Sequence, residues 1–176
     1  MDDATQSGRT GLSIFLAGLQ AGMMAVLLML GWLGVSAVWQ QHTFWTVANQ
    51  MATLLHGGSA IVAGFGPYTA SGIALYLVVY SLLGAVFAMA APQRLTPLGT
   101  MLAGVLLAVG WYWLWFQALG QRLMPLLWLL HSERPMVFGH VLYGVMLARF
   151  PVYLKNHEAA ATPVPAQSSS SPDPAS

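Results

Sequence analysis

His140 is the one histidine that falls inside an apolar stretch long enough to cross a bilayer. It stands in Gly139-His140-Val141-Leu142-Tyr143-Gly144. At membrane depth an imidazole can ligate a haem iron, relay a proton or touch a substrate. An ionisable residue there is a functional candidate by default. A neutral ring bonded to a carbonyl or hydroxyl is equally well served, so a structural role stands beside the chemical one. His56 and His131 occupy matching places in the two halves of the chain. Two facing imidazoles can bind haem b axially, or hold copper or zinc with further ligands. Haem histidines usually lie within helices, however, and these two lie in connectors. Polar interfacial residues are the alternative reading for both.

Other chemistry is thinly supplied. The ten methionines would suit copper as soft ligands, but most stand singly in apolar spans, where packing accounts for them. The acids Asp2, Asp3, Glu133, Glu158 and Asp173 lie outside the spans or at their edges. A proton relay through intramembrane carboxylates is therefore not expected. No cysteine is present, which removes disulfides, thiolate catalysis and iron–sulfur clusters. No phosphate-cradling loop, H-E-x-x-H or nucleophile elbow is found. The chain reads as non-enzymatic.

The elements that must position these residues are membrane helices. The chain is 57% hydrophobic and 6% charged, against roughly 25% charged in soluble domains. Charge is costly in hydrocarbon, so lipid-facing segments exclude it. Four stretches reach the roughly 20 apolar residues a span needs: 11–39, 69–90, 97–118 and 135–154. The first is long enough to tilt or protrude. Residues 1–10 form a polar leader, not a secretory signal. Residues 11–154 form the transmembrane domain, and 155–176 form an Ala/Pro/Ser tail expected to be disordered.

Two connectors are unusual. Residues 40–68 contain no Lys, Arg, Asp or Glu. Within them 43–56 reads as a short amphipathic helix at the interface, and 57–68 as a glycine-rich return. Residues 120–134 are the counterpart. Arg9, Arg94, Arg149 and Lys155 fall on one side of a four-span chain, Arg122 and Arg134 on the other. The excess places both termini in the cytoplasm. Trp32, Trp39, Trp45, Trp111, Trp113, Trp115 and Trp128 all fall toward the opposite side, where a headgroup belt would sit.

The halves show faint self-similarity. Gly31-Trp32, Leu54-Leu55-His56 and Phe65-Gly66 recur in order as Gly110-Trp111, Leu129-Leu130-His131 and Phe138-Gly139. A duplication would make two parallel hairpins about an axis along the membrane normal. Gly18 and Gly22 are spaced four apart in the first span, with Gln20 between them. Such spacing lets two backbones approach closely, and a buried amide seeks a neighbouring helix. Packing within the bundle, self-association and docking on a membrane partner are the alternatives.

The segment GHVLYGVM at 139–146 resembles one in small uncharacterised bacterial four-span membrane proteins. There a Gly-His pair precedes an aromatic-Gly and a small or basic exit. Residues 70–92 (ASGIALYLVVYSLLGAVFAMAAP) are similar to their second span. The resemblance covers about two of the four spans, and implies a fold and a bacterial origin but no activity. Where that pattern would place a histidine in the second span, this chain has Ile73 or Tyr76. The expected architecture is all-α: a polytopic four-helix bundle in a bacterial inner membrane, with two candidate pseudo-symmetric hairpins and short interfacial helices. Six basic residues make no nucleic-acid footprint. The expected partners are the lipid bilayer and either a membrane protein or a second copy. An accessory or scaffold subunit is the first functional reading. A small haem- or metal-binding redox protein is the second, and a passive channel or small-solute carrier the third.

Overall fold

The computed structural model describes residues 2–91, 95–120 and 132–161. The described residues are helical with no strand. Helix α1 runs Asp2–Trp39, α2 Thr46–His56, α3 Pro67–Ala90, α4 Pro97–Tyr112, α5 Glu133–Leu147 and α6 Phe150–Ala161. A π-helical stretch, Trp113–Gly120, continues α4. Four segments are long and apolar enough to span a membrane: Gly11–Trp39, Pro67–Ala90, Pro97–Gly120 and Glu133–His157. The chain is a multi-pass membrane protein with an all-α, four-helix architecture. We call the end bearing Gly11, Ala90 and Pro97 the N-terminal end, and the other the connector end.

Helix α1 is the axis of the bundle and packs against α2, α3, α5 and α6, while α4 packs on α5. Sequence explains the seams. A Cβ on Gly18 would lie 2.6 Å from the Ala88 Cβ and 2.7 Å from the Ala85 Cα. One on Gly22 would lie 2.7 Å from the Tyr80 carbonyl oxygen. Gly84 answers from α3, 2.6 Å from the Gly18 carbonyl oxygen by the same measure. Gly104 of α4 and Gly144 of α5 interlock in the same way. Lipid tails are as apolar as leucine, so close van der Waals approach has to hold spans together.

Three boundaries differ from the sequence expectation. Helix α1 extends back through the polar leader to Asp2. Residues 155–161, expected in a disordered tail, belong to α6. That helix docks along α1, and its alanines favour helix once a packing face exists. Residues 162–176, the rest of the tail, lie outside the described residues. Span four also breaks at Ala148-Arg149, where Ala148 and Arg149 bond three residues back, to Val145 and Met146. Pro151 has no N–H, and its ring would crowd the Leu147 carbonyl.

Within the charge-free connector the expected short helix forms as α2, and its covered face is broad. Ala48, Asn49, Gln50, Met51 and Ala52 form five consecutive buried residues on α2. A helix lying on a surface buries one stripe, so α2 must be covered on more than one side. Gly72 admits the Ala48 carbonyl directly against α3. Asn49 donates through Nδ2 to the Ala63 carbonyl at 2.6 Å and accepts from the Thr69 hydroxyl at 2.7 Å. This pair folds the glycine-rich return under α2, and Gly57 makes the turn with φ +67°. The buried Asn49 side chain is thereby satisfied within the protein and needs no charged partner.

Candidate functional site

The chemistry-bearing centre of the bundle is His140, fully buried two turns into α5. Its Nδ1–H donates to the Met136 carbonyl, one turn back, at 2.8 Å. A carbonyl only accepts, which fixes the proton on Nδ1. In the neutral ring, Nε2 then accepts from the Tyr80 hydroxyl of α3 at 2.7 Å. The hydroxyl of Tyr143, one turn beyond His140, donates to the Tyr80 backbone carbonyl at 2.6 Å. Helix α4 completes the enclosure. The Tyr112 ring lies 5.1 Å from the imidazole and that of Phe116 6.4 Å away. Tyr76 stacks on Tyr80 at 5.6 Å.

The local sequence builds this centre. Gly139 presents no side chain to α1, and a Cβ there would meet Met29 and Leu33 at 3.2 and 3.3 Å. That closeness seats α5 against α1 and turns the next residue, His140, inward. The Trp32 indole N–H donates to the Pro135 carbonyl at 3.0 Å, fixing the start of α5.

An axial haem ligand needs a free ring nitrogen and a planar slot beside it. Both His140 nitrogens hold protein partners, and aromatic rings pack about the imidazole. The residues present do not fit haem at this place. His56 sits far from such burial: it is exposed at the end of α2, with Nε2 3.0 Å from the Ser71 hydroxyl and its ring 5.0 Å from Tyr68. His131 lies outside the described residues, so the proposed His56/His131 pairing falls there too. Among the described residues no three His, Cys, Asp or Glu side chains cluster as metal ligands.

The residues singled out for packing are placed as follows. Gly18 and Gly22 face α3 in the seam described above. Gln20 between them is exposed on α1, and its Oε1 lies 3.1 Å from His157 Nε2 of α6. The repeat breaks at one of its pairs. Phe65-Gly66 precedes and caps α3, while Phe138-Gly139 lies within α5. The Leu129-Leu130-His131 match lies outside the described residues.

Sequence reasoning passed over the phenols. Tyr76, Tyr80, Tyr112 and Tyr143 are all buried within spans. The usable signal was the spacing Tyr76-Tyr80 and His140-Tyr143, which puts polar tips on one face of each of two apolar helices. Compared with models of known protein families, with curated proteins and with solved structures, the chain matches none.

Proposed function

We propose that this chain is a non-catalytic component of a membrane complex, an accessory or scaffold subunit of a bacterial inner membrane with both termini in the cytoplasm. The observation that carries the reading is the state of His140. Among the described residues His140 is the only histidine deep in the bundle, and both nitrogens hold protein partners: Nδ1 the Met136 carbonyl of its own helix, Nε2 the Tyr80 hydroxyl, which ties α5 to α3. The bacterial setting rests on the likeness of residues 139–146 and 70–92 to small four-span bacterial proteins. Orientation rests on Arg9, Arg94, Arg149 and Lys155 outnumbering Arg122 and Arg134.

The third span offers the face for a partner. Only 24% of its apolar window is buried, against 39% in each of the first two spans. Leu98, Leu102 and Leu106 form an exposed ridge along α4. Gly18 and Gly22 are already occupied by α3 and offer nothing to a second protein. The test is purification in mild detergent followed by cross-linking from positions 102 and 106. A stoichiometric membrane protein cross-linked at that ridge, and lost in Leu102→Ser/Leu106→Ser, is expected. A purified chain that shows a Soret band, or that moves solute across vesicles alone, would overturn the reading. A reporter fused after Lys155 should be active only if it works in the cytoplasm.

A further inference from the structure

At the connector end, α1 and α5 leave between them a groove of about 510 Å3. Trp32, Trp39 and Phe138 line it with aromatic surface. The Trp32 ring lies 4.6 Å from Phe138 and 6.0 Å from Trp39, and its bond to Pro135 fixes it. Trp39 is 70% exposed although it closes a membrane helix. Trp39 is the last residue of α1 and Arg134 the second of α5, so the groove sits at helix ends. That is headgroup level, where tryptophan is favoured.

The polar lining is Arg134, Ser132, Ser36 and Gln40, the last with its amide N–H already donated to the Ser36 carbonyl at 2.9 Å. Arg134 lines the groove and is exposed. Ser132, at the N-cap of α5, also lines it and makes no side-chain capping bond. The Glu133 and Arg134 N–H groups are left without that cap, Pro135 has none, and that of Met136 bonds the Ser132 carbonyl, so two N–H groups and the positive end of the helix remain for an anion. Ser36 is the independent sign of a ligand. It is 3% exposed, it lines both the groove and an adjoining recess of about 30 Å3, and its hydroxyl has no hydrogen-bond partner among the described residues. Buried hydroxyls are nearly always bonded, and a serine hydroxyl reorients about a single bond to meet a partner. Glu133, the acid of the same turn, is exposed and does not line the groove. Among the described residues that line the groove, a choline or ammonium group would meet no counter-charge.

We propose that this groove seats one anionic phospholipid, its phosphate at Arg134 and the start of α5 and an acyl chain against Trp39 and Phe138. The recess is of a size for water and carries the hydrogen bonding from the headgroup to Ser36. The site stands independently of the scaffold reading.

The test is native mass spectrometry of the full chain in detergent, titrated with phosphatidylglycerol and phosphatidylcholine of matched acyl chains. Wild type should retain phosphatidylglycerol about fivefold better, the increment of one basic residue at an anionic headgroup. Arg134→Gln should bring the ratio to about one, and Arg134→Lys should keep most of it. Ser36→Ala should lower phosphatidylglycerol retention, and Lys155→Gln, at the other end of the bundle, should leave the ratio unchanged. Equal retention by wild type, a preference that survives Arg134→Gln, or a preference lost in folded Arg134→Lys each defeats the proposal. So does displacement of the lipid by millimolar inorganic phosphate, which would mark a site for the free anion. If Arg134→Gln fails to fold, the Arg134→Lys and Ser36→Ala arms decide.

Discussion

The two ends of this bundle meet one problem by different means. Toward the N-terminal end, α1 and α3 touch backbone to backbone through Gly18, Gly22 and Gly84, and α4 meets α5 through Gly104 and Gly144. From mid-bundle toward the connector end, beside the close approaches at Gly139 and Gly72, rings and hydrogen bonds carry the contact: His140 with Tyr80, Tyr143 and Tyr112, then Asn49 with Thr69. Neither end can rely on a hydrophobic drive between spans, because lipid competes equally for apolar surface. Close packing forbids any added atom. Hydrogen bonding forbids any orphaned partner. The first kind of seam should therefore be broken by size, the second by polarity.

The largest effect should come from size at the glycine seam. Gly18→Leu with Gly22→Leu pushes side chains into α3 backbone, and should cost about 3 kcal/mol or abolish folding. Denaturant unfolding in micelles, with gel filtration, reads this. Leucine at Gly31 or Gly110, where a Cβ meets nothing within 4 Å, should change stability by under about 0.5 kcal/mol. Equal damage at both kinds of glycine would dissolve the distinction between seams.

Next comes polarity at the connector end. Asn49→Leu leaves the Ala63 carbonyl and the Thr69 hydroxyl short of a partner, at about 2–3 kcal/mol. Hydrogen exchange should quicken in α2 and residues 57–66 while the glycine seams stay protected. Loss of protection throughout would show that the two ends are one cooperative unit.

His140 sharpens the contrast at mid-bundle. His140→Leu should cost about 2 kcal/mol by removing the acceptor of the Tyr80 hydroxyl proton, and His140→Gln about half that, since an amide can still pair. If both substitutions cost the same, hydrogen bonding is not what holds this place. The smallest effect is expected at Gln20→Ala. Its contact with His157 is exposed, so stability should move by less than about 0.5 kcal/mol.

The sequence by itself determined the spans. Scarcity of charge and the length of apolar runs are one-dimensional properties, and in hydrocarbon an unbroken apolar run of about 20 residues satisfies its own backbone as a helix. Segment ends were legible within a few residues for 69–90 and 97–118, where Pro67 and Pro97 open the helices. The importance of Gly18, Gly22 and His140 was legible as residue type at depth. Their partners were not. Which helix meets the glycines, and whether His140 keeps a free nitrogen, depend on contacts across 60 residues or more, such as Tyr80 with His140. Local spacing holds no information about them. The connector helix was legible for its apolar spacing, but its anchor was not: Asn49 and Thr69, twenty residues apart, satisfy each other. Only the tertiary structure decides whether a polar group faces water, lipid or a partner, because burial belongs to the packed bundle and not to any segment of it.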